Sequence, residues 1–489
     1  MEPVKPRAYV ATFGCRVNQA DTEGILSTLV DRGFDVADDH RGADLVVVNS
    51  CTVTHRSDAD IRKLVHRIQR ERPEARVIVT GCYAQRDPGA LAALAGAHAV
   101  VGNAQAEVLA DVARQLVDAP PPEAPIVAHS AFDALTPDDL PPVRPVSVAH
   151  DRTRPFVKIQ DGCDAKCTYC VIPEVRGPAR SAAVDAVVRS VGTLVENGAF
   201  EVVLAGIHLG TYRGARPLRD VGDARDVGDV GDVGDAATDD GGPADLADLV
   251  AAVLAVPGLG RLRLSAIEPM AFPTRLIDLA AADRRLARHF HLPLQSGADG
   301  VLKRMNRPYR QRDYAALLGD VRAALPEACL GTDVIVGFPG ETDADFAETL
   351  AFVERSGLDH VHVFSYSDRP GVPSTRLRGK VGSAAIKARA RALIALSDRL
   401  WARFLDRHVG ETIEALALER AADRPERVAC LSGNYLPIEV ADDDARPIAA
   451  NENLTIRVEA RRGDGLVGRV LARPEAPRRL RTSRLAVVA

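Results

Sequence analysis

The 489-residue chain predicts an α/β protein in three parts: an N-terminal parallel α/β sheet domain, a central partial (β/α)6 barrel, and a small all-β barrel at the end. Three observations carry this expectation. Short β-branched runs alternate with helical patterns over residues 7–117 and again over 154–375, and such alternation builds parallel sheets. A Pro- and Ala-rich stretch separates the two regions. Beyond one long helical stretch, only short strands with turn signals remain.

In the first region "AYVAT" (8–12), "DLVVVN" (44–49) and "RVIVT" (76–80) read as strands, with helical stretches such as "TEGILSTLVDRG" between them. This gives a domain over 1–117. Residues 118–153, with "APPPEAP" and "DDLPPVRPV", read as a linker, semi-rigid where prolines cluster. The barrel is expected over 154–405, with strands at 156–160, 201–206, 261–267, 289–295, 330–338 and 360–366. Six β/α units fall short of the eight that close a barrel. Its interior is interrupted at 213–243 by the repeated "VGD" stretch, expected to be a disordered insert. The helical stretch from Ser383 leads to a final module at 406–489.

Composition narrows the function. No apolar run approaches the roughly 20 residues of a membrane span, and the first residues lack a secretory pattern. Eight cysteines in this length are too sparse for a disulfide scaffold. A cytoplasmic, reducing compartment is therefore expected, where clustered cysteines serve metals or catalysis. The formal net charge is −5, but the 213–243 stretch alone holds eight Asp against four Arg. The stretch from Leu454 to Ala489 holds nine Arg against three acids, a basic end that suits a phosphate-rich partner.

Three of the cysteines fall within "GCDAKCTYC": Cys163, Cys167 and Cys170. They follow the first barrel strand, and β/α barrels carry their chemistry at the C-terminal ends of strands. The spacing suits neither a structural zinc knuckle nor a disulfide. Three thiolates can hold three irons of a [4Fe–4S] cube, which ordinarily takes four, and leave one iron open to a small molecule such as S-adenosylmethionine (SAM). Cys15, Cys51 and Cys82 each follow one N-terminal strand: "YVATFGC", "LVVVNSC", "VIVTGC". Parallel strands present these ends on one sheet edge, where ligands bind. The three either converge there on a metal or pack as buried apolar cysteines. Cys329 and Cys430 read as packing residues.

With these cysteines, the stretches "FGCRVNQAD", "NSCTVTHRSDADIRK", "TGCYAQR", "CTYCVIPEVRGPARS", "LSAIEP", "HLPLQSGADGVLKRMNRPY" and "GTDVIVGFPGET" resemble the radical SAM methylthiotransferases over nearly the whole chain. The last module is similar to a TRAM domain, an RNA-binding barrel. The resemblance implies two [4Fe–4S] clusters: one on Cys163, Cys167 and Cys170 that binds and cleaves SAM, and an auxiliary one on Cys15, Cys51 and Cys82 that carries the sulfur. It implies hydrogen abstraction at carbon-2 of an adenine, sulfur insertion, and methylation of the sulfur by a second SAM. By position, Tyr169, Gly206, Val334 and Ile335 are expected to contact SAM. The implied partners are the anticodon stem-loop of tRNA, an electron donor such as flavodoxin or ferredoxin, and a sulfur source.

Among the family's branches, "CRVNQ", "CTVT" and "GCYAQ" look most like the one that modifies threonylcarbamoyladenosine at position 37 of tRNA. The alternatives are isopentenyladenosine in tRNA and an aspartate of a small-subunit ribosomal protein. Glu174 stands where the family usually has Tyr, a departure at the substrate mouth.

Overall fold

The computed structural model describes residues 5–52, 55–144, 153–216, 242–418, 420, 426–442 and 446–474. The "VGD" repeat and the last residues of the Arg-rich end lie outside these, so the expected disorder of the insert does too.

The N-terminal sheet has six parallel strands: β1 (Arg7–Thr12), β2 (Asp35–Val36), β3 (Leu45–Ser50), β4 (Arg76–Gly81), β5 (Ala99–Gly102) and β6 (Ile126–Ala128). Their order is β2-β1-β3-β4-β5-β6, so the chain reverses its direction of winding between β1 and β3. Both faces are covered, which is why the strands are near-continuous apolar runs. Val10, Val47, Ile78 and Val101 pack on one side with Leu26, Leu29, Leu109 and Leu116. Tyr9, Val46, Val48, Val77 and Val79 pack on the other with Ile61, Val65 and Ile68. Strand β6 lies within the stretch read as a linker; three residues among prolines give too short an apolar run to stand out in sequence.

The central part holds β7 (Phe156–Lys158), a short antiparallel pair β8 (Gln160–Asp161) and β9 (Arg180–Ser181), then β10 (Glu201–Ala205), β11 (Arg261–Leu264), β12 (His289–His291), β13 (Cys329–Val336) and β14 (His360–Ser365). Strands β7, β10 and β11 form one parallel sheet and β12, β13 and β14 another. A parallel bridge between Leu262 and Leu286, and a hydrogen bond from Ile267 N to His291 O, join them into an open six-stranded half-barrel. One apolar core fills the space between these strands and their helices. The helix Ser383–Arg407 buries Leu393, Leu396, Leu400 and Phe404, at the spacing of one helical face.

The C-terminal module is a closed barrel of β15 (Thr412–Ala417), β16 (Arg427–Ser432), β17 (Pro437–Ala441), β18 (Asn453–Arg462) and β19 (Gly465–Ala472). It caps the N-terminal end of the half-barrel. Arg261 and Arg263, buried on β11, pair with the fully buried Glu201 and donate across the interface to the carbonyls of Leu431, Ser432 and Gly433. Tyr435 stacks on His289 with ring centroids 4.3 Å apart, under the Arg263 guanidinium. Cys329 and Cys430 are buried in this module's apolar cluster.

Candidate metal centres

Cys15, Cys51 and Cys82 stand at the C-terminal ends of β1, β3 and β4. The first two flank the point where the strand order reverses, the usual ligand crevice of an open α/β sheet. Gly14 allows their close approach: its φ is +101°, and a Cβ there would lie 2.6 Å from the Cβ of Cys51. The Sγ atoms of Cys15 and Cys82 both lie 3.9 Å from Oδ1 of the fully buried Asn18. The sequence left open whether these cysteines converge; the fold brings Cys15 and Cys82 to one asparagine, with Cys51 against Gly14.

Cys163, Cys167 and Cys170 follow β8 on one loop. Gly162, at φ +71°, turns the chain where any Cβ would strike the Pro178 carbonyl. Cys163 Sγ lies 3.6 Å from His208 Nδ1 and accepts from Ala165 N, while Cys167 Sγ accepts from Arg307 Nη1 at 3.3 Å. Burial pushes the Cys163 thiol up to about 11 and the Cys170 thiol up to about 12, and the neighbouring thiols push in the same direction. A bound metal reverses that balance by deprotonating its ligands.

The segments that bear the two sets pack together. Cys82 packs against Val171 and Val175, in the turn and short helix that follow Cys170. From the same helix (Ile172–Arg176), buried Arg176 donates to Asn18 Oδ1 and pairs with Asp21 at 2.8 Å and Asp161 at 3.2 Å. Lys158 completes this group through Asp21 and Asp161. Arg369 reaches from the far side of the half-barrel to Asp58 and to Thr52, the residue after Cys51. Glu174, the departure noted above, is exposed and faces Arg86 at 4.0 Å.

None of the eight cysteines, all among the described residues, is joined in a disulfide. A single zinc ion would draw its thiolates to about 3.8 Å of one another. Among the described residues, the set of three His, Cys, Asp or Glu ligand atoms lying within 4.8 Å of one another is His291, Asp333 and His362. Neither cysteine triplet falls within that spacing among the described residues.

A cavity of about 370 Å³ opens beside Cys167, lined by Asp164, Lys166, His208, Met270, Asn306 and Arg307 among others. This volume suits a small-molecule ligand. His208 and Glu268 lie 3.5 Å apart near it. Burial, with Arg307 adding to it, lowers His208 to about 4, and burial raises Glu268 to about 7, so the two are not a strong ion pair at neutral pH. Of the expected SAM contacts, Tyr169 and Ile335 share an apolar cluster with Phe338 and Met305. Gly206 sits against Gln160 and Leu209. Val334 points the other way, wholly buried in the core, because successive strand residues face opposite sides. None of these four lines the cavity. Asn18, Arg176 and Arg307 stood in the quoted motif stretches without a role; only the fold reveals their thiol contacts.

Residues 7–102 match a family described as uncharacterized protein family UPF0004, and residues 157–353 match the radical SAM superfamily. The chain is 33% identical to the threonylcarbamoyladenosine tRNA methylthiotransferase MtaB of Bacillus subtilis, over 85% of each chain. Identity to the MtaB protein of Aquifex aeolicus is 32%, over 88% of this chain and 95% of that one. The tRNA-2-methylthio-N(6)-dimethylallyladenosine synthase of Acidothermus cellulolyticus is 32% identical, over 91% and 85% respectively. In fold, the chain is similar to the radical SAM methyltransferase TsrM of Kitasatospora setae, with a TM-score of 0.52 at 16% identity over 76% of this chain and 77% of that one. With these matches spanning the cysteine-bearing sheet and the half-barrel, the chain belongs to the radical SAM methylthiotransferase family, of the MtaB type.

Proposed function

We propose that the chain converts N6-threonylcarbamoyladenosine at position 37 of tRNA to its 2-methylthio derivative, with two [4Fe–4S] clusters. The observation that supports this reading is the packing of Cys82 against Val171 and Val175, in the segment that follows the second cysteine triplet. Cys163, Cys167 and Cys170 would hold the SAM-binding cluster, and Cys15, Cys51 and Cys82 the auxiliary one. Bound together with SAM, these groups supply radical C–H cleavage and sulfur insertion that no side chain offers.

The protein's own part is to bind, orient and exclude water. Arg307 at Cys167, and Arg176 beside Asn18 and Cys82, place buried positive charge against the sulfurs; burial raises the Cys82 thiol, and Arg176 opposes that rise. Tyr169 and Ile335 would flank the adenine of SAM, Gly206 would leave backbone room at its methionine end, and Val334 would contribute only its backbone. Arg457, Arg461, Arg462 and Arg469 are exposed on β18 and β19, a basic face suited to tRNA phosphates. An anticodon loop can splay its base into the half-barrel. A flavodoxin or ferredoxin would supply electrons, and a separate donor the sulfur.

Isopentenyladenosine is the second reading, because relatives that bear the dimethylallyladenosine name match at the same level of identity. Mass spectrometry of tRNA nucleosides from a strain lacking the protein separates the two. The expected result is loss of 2-methylthio-threonylcarbamoyladenosine, restored by the wild type but not by Cys163→Ala or Cys82→Ala. Loss of the isopentenyl derivative instead would move the substrate and keep the chemistry. No change in any tRNA nucleoside would refute both and favour the ribosomal-protein aspartate.

A further inference from the structure

We propose that His291, Asp333 and His362 form a mononuclear divalent-metal site within the half-barrel, separate from both cysteine sets. The three lie on adjacent strands β12, β13 and β14. Asp333 is directly opposite His362 across the β13–β14 ladder, and His291 is opposite Gly331, one diagonal step away. Both imidazoles aim at one carboxylate oxygen: His291 Nε2 lies 2.8 Å and His362 Nδ1 3.2 Å from Asp333 Oδ1. All three ligand atoms fall within 4.8 Å of one another.

The alternation along β13 sets this arrangement. Thr332 and Val334 face the helices and are fully buried, so Gly331 and Asp333 face the barrel interior. Gly331 keeps that face clear, since a Cβ there would lie 3.0 Å from His291 Nδ1. His291 can therefore lie over the glycine and reach Asp333.

Two imidazoles and one carboxylate make a donor set for a first-row divalent ion such as Zn²⁺, Mn²⁺ or Fe²⁺, with coordination positions left open. Donor separations of 2.8 and 3.2 Å match ligands that share an ion at about 2.1 Å. Half of the His362 side chain is exposed, so a solvent oxygen donor can reach the site and complete the shell. The inference rests on these three residues and holds whichever adenosine is the substrate.

The test is anaerobic equilibrium dialysis of the full chain, clusters loaded, against Zn²⁺ alone, with zinc and iron counted in the same sample. The expected result is one zinc per chain with iron unchanged, and binding at least about 100-fold weaker in His362→Ala and Asp333→Asn, a loss larger than most outer-shell partners cause. His362 is exposed enough for its alanine variant to fold; thermal melts of both variants check this. Zinc that enters only as iron leaves would belong to the cysteines and would overturn the proposal. So would zinc retained by His362→Ala, or no zinc at all, which would leave Asp333 as a hydrogen-bond acceptor for two histidines.

Discussion

Replacing Arg176 with Gln tests whether the two cysteine-bearing parts are locked by one buried charge. The Arg176 side chain is 2% exposed and faces Asp21 and Asp161, with Lys158 as the other cation of the group. Removing it leaves two buried carboxylates sharing one lysine. Losing one partner of a buried pair costs about 3–5 kcal/mol, on the order of 10² to nearly 10⁴ in a local opening equilibrium. Arg176→Lys keeps the charge but loses the fork, and should cost about 2 kcal/mol. The assay is hydrogen–deuterium exchange of the cluster-loaded chain over residues 16–31 and 172–182. Protection should fall in the order wild type, Lys, Gln. The pH dependence follows from the same group. Burial acts to raise the Asp161 carboxyl, but Arg176 and then Lys158 outweigh it and hold it well below the usual carboxylate range. Its stabilisation is present above the unfolded pKa of about 3.9 and is lost as the pH falls through the folded value, so Arg176→Gln should open at higher pH than wild type. Unchanged protection in the Gln variant, within about fivefold, would refute the reasoning.

Glu201 should dominate acid loosening at the other end of the half-barrel. Burial raises it, but Arg263 and Arg261 outweigh burial and lower it from 4.5 to about 2. A shift of that size is about 3 kcal/mol, present above the unfolded value and lost as the pH falls through the folded one; circular dichroism in an acid titration would follow it. Gly14→Ala should push Cys51 away and lower iron to the content of one cluster, with SAM cleavage retained; iron analysis beside a SAM cleavage assay checks this. Tyr435→Ala removes the stack on His289 and the contact with Arg263, and should cost about 1–3 kcal/mol in a urea titration. If Arg457 and Arg462 grip phosphates, alanine at both should weaken tRNA binding and flatten its salt dependence in filter binding.

Much of the fold was legible because its signals are local. Strands β1, β3 and β4 and all six half-barrel strands are short β-branched or apolar runs closed by turn residues, as read from the sequence. Strands β5 and β6 escaped notice: "AVVG" and "IVA" are too brief to register as elements, and they gain strand character from pairing with neighbours. The cysteines were legible because their residue type and position already carry chemistry. Their supports were not. Arg176 meets Asn18 across 158 residues, and Arg307 meets Cys167 across 140. An arginine inside a motif looks the same whether it grips a thiolate or solvent, and periodicity has no bearing on contacts of that separation. The metal-like geometry of His291, Asp333 and His362 was invisible for the same reason: it depends on the register of three strands.

The seam between the half-barrel and the last module has a temporal consequence. Arg263 donates to carbonyls about 170 residues further along the chain. At ribosomal rates of about 5–20 residues per second, β11 leaves the exit tunnel roughly 10–30 s before its partners exist. For that interval two guanidiniums destined for the interior lack their carbonyl acceptors and have Glu201 and, for Arg261, the Phe200 ring. A chain cut short before Leu431 would leave Arg261 and Arg263 without these acceptors, so one end of the half-barrel is completed only by a module made later.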